Sequence, residues 1–188
     1  RDGRSVAVVI SDAKGTYETW VAEADRPGLR RVLVLPNADC GKPVWAPDAQ
    51  RLVYRRVASD KDDGIYLQRA DGTGSPQAIL KQESPEIGLT ATSFAPDGSG
   101  IIVTKSVGGT SDMLFVPISA AGGASAPRVL RATPSSEAFG RFSPDGRFLA
   151  FSSDESGRTE VYVAGYGADG ALGPATMVST GGGQQPAW

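Results

Sequence analysis

The sequence predicts an all-β chain built as a β-propeller of four-stranded antiparallel blades, on three observations. A turn motif with an aromatic head recurs at a near-constant interval, a second aromatic travels in phase with it, and glycine and proline punctuate short apolar runs throughout. Trp45-Ala-Pro-Asp48 returns as Phe94-Ala-Pro-Asp-Gly98 and as Phe142-Ser-Pro-Asp-Gly146, with Arg1-Asp-Gly3 as the tail of another copy and Trp188 as the head of a further one. The heads fall at 45, 94, 142 and 188, spaced by 49, 48 and 46 residues. Counting from the turn aspartates at 2, 48, 97 and 145, Trp20, Tyr66, Phe115 and Tyr162 follow 18, 18, 18 and 17 positions later. A period in this range signals a stacked or circular array.

Each element of the unit has a local cause. Val6–Ile10, Arg51–Tyr54, Ile101–Thr104 and Phe148–Phe151 are too short for ordinary helices and rich in residues that suit strands. In Ser143-Pro-Asp-Gly146 proline supplies the fixed φ of a type I turn and glycine the exit, so a strand lies on either side. A second turn at Asp154-Glu-Ser-Gly157 leads to Glu160–Ala164, and a third at Ala168-Asp-Gly170 leads to Ala175–Val178. Four strands in meander order result. The 24 glycines and 13 prolines fit that density of turns. The repeats run approximately over 1–42, 43–90, 91–138 and 139–183, with 184–188 as the first strand of a further or ring-closing blade. A single meander of about 47 residues cannot bury both its faces, so copies must pack face to face, with Trp45, Phe94, Phe142, Tyr66, Phe115 and Tyr162 filling the space between them. The phase of the two ends allows either a closed ring of four blades or a piece of a larger propeller.

Composition removes several functions. The 188 residues contain no histidine, so Ser-His and Cys-His pairs, histidine-ligated zinc and histidine proton shuttles are all excluded. One cysteine, Cys40, can neither close an internal disulfide nor build a thiolate metal site. A net charge of -2 argues against nucleic acid as a partner, and the longest apolar run is far short of the roughly 20 residues that cross a bilayer, so no membrane insertion of this segment is expected. No Gly-x-Ser-x-Gly elbow or phosphate-binding loop occurs, and Ser59-Asp-Lys-Asp-Asp-Gly64 lacks the glycine offset and later glutamate of a calcium loop. No cofactor and no metal are expected.

The head aromatic, the Ala/Ser-Pro-Asp-Gly turn, the aliphatic strand and the Val-Tyr-Val strand together resemble the TolB-type, WD-like β-propeller repeat. The match is fullest over Gly140–Val163 and weaker around Ala49, where the turn glycine is missing. The resemblance implies a periplasmic or otherwise extracytoplasmic scaffold binding proteins or peptides, a sensor module such as those of bacterial Ser/Thr kinases, or the propeller attached to a prolyl-oligopeptidase-like peptidase. Gly181-Gly-Gly-Gln-Gln-Pro-Ala-Trp188 is similar to blade junctions of the kinase-linked group.

Function is expected on the loops that join a fourth strand to the next first strand, because they converge at one end and vary where the core repeats. They run through 37–42, 81–89, 132–138 and 181–185. The candidate binding residues are Lys81, Gln82, Glu83, Glu86, Ser135, Ser136, Glu137, Gln184 and Gln185. A non-catalytic module for a protein or peptide partner is the leading expectation. The alternative is the gating part of a peptidase whose catalytic domain lies elsewhere.

Overall fold

A computed structural model describes residues 3–11, 13, 15–33, 38–58 and 62–188. The first half of the calcium-like stretch, residues 59–61, and the connection 34–37 lie outside them. The described residues form fifteen strands and no helix. β1 (Ser5–Ser11), β2 (Tyr17–Glu23) and β3 (Arg26–Leu33) make the first sheet. β4 (Ala38–Trp45), β5 (Arg51–Ala58), β6 (Gly64–Arg69) and β7 (Gln77–Lys81) make the second. The third contains β8 (Gly88–Phe94), β9 (Gly100–Val107), β10 (Thr110–Pro117) and β11 (Arg128–Arg131). The fourth contains β12 (Glu137–Phe142), β13 (Phe148–Ser153), β14 (Glu160–Tyr166) and β15 (Leu172–Met177). All pairings join chain neighbours antiparallel, the expected meander.

The turn motif does what its residues dictate. Gly98 and Gly146 hold φ of 75° and 73°, and their N–H groups donate to the carbonyls of Ala95 and Ser143 at 2.9 Å. Asp97 and Asp145 accept from the backbone N–H two residues on, at 3.0 and 3.1 Å. Ala49 makes the same turn without glycine, at φ 55°.

Each sheet packs on the next in chain order, β4 on β1 and β2, β8 on β4 to β6, and β12 on β8 to β10. Strand alternation divides each buried strand between two cores. Leu52 and Tyr54 join Val21, Cys40 and Tyr66 between the first and second sheets, whereas Val53 joins Ile65, Phe94 and Ile101 on the other side. Ile101 and Val103 likewise face the second sheet, and Ile102 faces the fourth with Met113, Phe142 and Tyr162. Burial on both faces is why these strands read as unbroken apolar runs. The packing role assigned to the aromatics holds for Phe94, Phe142, Phe115, Tyr66 and Tyr162, exposed by 2, 5, 5, 8 and 4%. Trp45 is partly buried against the first of these cores.

Residues 184–188 form no strand in this structure, and the first sheet has three strands. Trp188 donates its indole N–H to the Arg141 carbonyl on β12 at 3.0 Å.

Candidate functional site

Two kinds of connection lie at opposite ends of the sheets. The Pro-Asp-Gly turns share one end with the β14–β15 type of turn. The longer links from fourth to first strands share the other, and the first strands β4, β8 and β12 run away from it. Each of these strands carries a register shift against its neighbour, between Gly41 and Val44, Ala91 and Ser93, and Ala138 and Arg141. Three residues before the head aromatic, Lys42, Phe139 and Gln185 adopt left-handed backbone at φ 54°, 58° and 55°. Such a bulge bends the strand and re-aims the side chain. All three residues line one cavity of about 320 Å³, together with Val44, Thr90, Thr92 and Arg141.

Cross-sheet bonds fix this cavity. Phe139 N–H donates to Thr104 Oγ1 at 3.3 Å, and Gln185 N–H donates to Ser152 Oγ at 3.2 Å. Thr92 Oγ1 donates to the Gly140 carbonyl at 2.8 Å, and Ser93 Oγ accepts from Phe142 N–H at 3.2 Å. The polar lining of β8 is therefore held rigidly against β12. A larger cavity of about 610 Å³ lies at the opposite end between the third and fourth sheets. Its Arg128 donates to Gly170 O and Tyr166 Oη, both at 2.6 Å, and stacks 4.6 Å over Phe115. That guanidinium is already engaged in tying two sheets, so the smaller cavity is the better site.

The candidate residues divide by burial and position. Lys81 is exposed and pairs with Asp62 at 2.9 Å, while Glu83 is 80% exposed and 4.0 Å from Lys105. Gln82 donates its N–H to the Asp63 carbonyl at 2.8 Å, and its side-chain Oε1 is buried without a partner. Glu86 is exposed, and its N–H donates to Ser84 Oγ. Ser135 and Ser136 are half-buried, with backbone N–H groups bonded to Thr133 Oγ1 and Asp154 Oδ1. Gln184 is exposed, and Gln185 reaches the cavity. Glu137 is corrected: it is 0% exposed, accepts from the Thr133 N–H and hydroxyl, and lies 3.5 Å from Arg131 Nε. It fastens its loop and cannot meet a partner.

Glu160 holds the last loop in the same manner. It accepts from Ser179 Oγ at 2.6 Å and from the N–H groups of Gly181 and Gly182 at 2.9 and 2.8 Å. The Ser179 hydroxyl first, and the Gly182 N–H and Arg158 after it, hold its carboxyl below the ordinary range against the opposing effect of burial. Sequence reasoning missed Phe139 and Arg141 and passed over Lys42 within its loop. Their constant phase before the head aromatics was the available signal.

Successive meanders packed face to face, with bulged inner strands around a common cavity, define a β-propeller chain. The chain is 33% identical over 150 residues to the Tol-Pal system protein TolB of Bordetella pertussis, a match covering 80% of this chain and 32% of that protein. The TolB of Bordetella parapertussis matches with the same figures. The chain thus spans about a third of the length of the curated relatives it matches. Among solved structures, TolB from Acinetobacter baumannii superposes with a TM-score of 0.68 at 23% identity, over 90% of this chain and 40% of that one. A Mycobacterium tuberculosis puromycin-hydrolyzing peptidase superposes with a TM-score of 0.65 at 12% identity, over 94% and 30%. No family model matches. The chain is a β-propeller of the TolB type, and the extracytoplasmic placement expected from the resemblance goes with that type. Among the described residues, no helix is long and apolar enough to cross a membrane.

Proposed function

We propose that this chain is a non-catalytic module that receives a protein or peptide partner at the end where its fourth-to-first-strand links converge. The observation that carries the reading is the repeated bulge, which sets Lys42, Phe139 and Gln185 around one cavity at the same position, three residues before the head aromatic, in three of the units. Left-handed backbone at residues other than glycine is strained and persists where the surroundings enforce it, often at ligand sites. The links beside it supply Lys81, Glu83, Glu86 and Gln184 as exposed polar groups, with Ser135 and Ser136 partly exposed. The absence of histidine from the sequence leaves serine and cysteine without an imidazole base, which supports a role in binding. The peptidase neighbour shares the fold at 12% identity and adds nothing specific for a gating role.

A photo-crosslinking residue at Gln184 or Lys42 of the protein in its native envelope tests the reading, with Asp71 at the opposite end as control. Discrete protein adducts from the first two positions and none from Asp71 are expected. Equal labelling at all three, or turnover of a peptide substrate abolished by a single loop carboxylate substitution, would reject the reading.

A further inference from the structure

Beside the cavity, a second recess of about 380 Å³ opens between the first and second sheets. Its walls are apolar: Val9 and Tyr17, exposed by 38 and 50%, stand on one side and Val57 on the other. Two cations face it. Arg55 has a buried Nε without a hydrogen-bond partner, and neither Arg55 nor Lys42 forms an ion pair among the described residues. Arg55 is half-buried, and a buried N–H without an acceptor is costly, which is the condition an anionic ligand relieves. Gly41 lies directly across the strand pair from Arg55, and a Cβ built on it would meet nothing within 4 Å, so the approach to Arg55 is open. Asp39 also lines the recess, with Oδ1 accepting from the Tyr17 N–H at 2.9 Å. Its negative charge disfavours a dianion such as phosphate and leaves room for a single carboxylate.

An apolar wall with monoanion-sized positive charge at one end matches a residue that carries both features itself. We propose that this recess binds the C-terminal residue of a partner polypeptide, with an apolar side chain against Val9, Tyr17 and Val57 and its α-carboxylate on Arg55 and Lys42. The guanidinium can take the carboxylate through two parallel N–H···O bonds. The inference rests on the reading of this end as a partner-binding surface and names the chemistry of one contact within it.

The test is fluorescence anisotropy of the purified chain with fluorescein-Gly-Ser-Gly-Leu bearing a free C-terminus, against the same peptide ending in a carboxamide. The acid is expected to bind at least about tenfold more tightly than the amide, in keeping with hydrogen bonds to charged groups. Lys42→Gln, whose side chain is exposed, and Arg55→Gln should bring the acid down to the level of the amide. Gly41→Leu should block both peptides by filling the recess while leaving the charges in place. Arg147→Gln, at the opposite end, should change nothing. Equal binding of acid and amide, equal binding of a carboxamide peptide with an internal aspartate, or equal loss in Arg147→Gln would overturn the assignment. Partner adducts at Gln184 that survive Gly41→Leu unchanged would also overturn it, while leaving the broader binding role standing.

Discussion

Phe142→Ala removes a head aromatic from the third inter-sheet core. The ring is 5% exposed and makes edge-to-face contacts with Tyr166 at 4.9 Å and Phe115 at 6.3 Å, alongside Ile102 and Met113 in the same cluster. Each aromatic pair contributes about 0.5–1.5 kcal/mol beyond area burial. Lost transfer energy and the residual cavity bring a buried Phe→Ala change to about 3–5 kcal/mol. In a chain of 188 residues, that corresponds to a fall in melting temperature of about 6–20 °C. Trp188→Ala is the control, since Trp188 holds the same repeat position but is 55% exposed with one indole hydrogen bond to Arg141 O. Its cost is expected within about 1 kcal/mol. Urea unfolding followed by tryptophan fluorescence for Phe142→Ala, and by circular dichroism for both variants, measures the pair. A larger loss at Trp188, or a loss below about 1 kcal/mol at Phe142, would show that burial between the sheets does not set the cost.

Ala49→Gly relieves left-handed backbone at a turn where the other copies have glycine, and should raise stability by about 0.5–1 kcal/mol in the same denaturation assay. The Ser143 hydroxyl first, and Arg147 after it, hold the Asp145 carboxyl down at about 2. A depressed folded-state value contributes stability that is complete above the ordinary aspartate range and is lost as pH falls from about 4 toward 2. Unfolding midpoints across that window should therefore fall less steeply in Asp145→Asn. Glu83→Ala should lie within about 0.5 kcal/mol of the parent, whereas Glu137→Ala strands the half-buried Thr133 donors and should cost about 1–3 kcal/mol. Lys42→Gly should stabilise the chain by about 1 kcal/mol while weakening the free-acid peptide, read by melting and anisotropy on one preparation.

The fold was legible because three signals share a phase and each has a local cause. Pro-Asp-Gly can hardly do anything but turn, Ile101–Val103 can be apolar at every position only if both sheet faces are covered, and Phe115 returns at the offset where it meets Phe142 across the gap. The site was less legible. Glu137 and Glu83 are equally acidic residues beside equivalent links. Only the three-dimensional course of the chain folds Thr133 and Arg131 over the first and leaves the second in water. The bulges escape sequence reading because register belongs to a pair of strands and not to either alone.

The left-handed residues are not a plain requirement of stacking the sheets. β8 carries the same kind of register shift around Ala91, yet Ala91 is not among the residues at positive φ, so the inner strand can bulge without it. Where the strained conformation does occur, a hydroxyl seven residues after the preceding turn aspartate offsets it: Thr104 receives the Phe139 N–H and Ser152 the Gln185 N–H. The corresponding position before Lys42 is Val9, which has no hydroxyl to offer. Lys42 therefore keeps a conformation that costs about 1–2 kcal/mol without the compensation its counterparts enjoy. What that backbone does accomplish is to bring Lys42, which forms no ion pair among the described residues, to the recess that Arg55 also lines, where a carboxylate would supply the missing stabilisation.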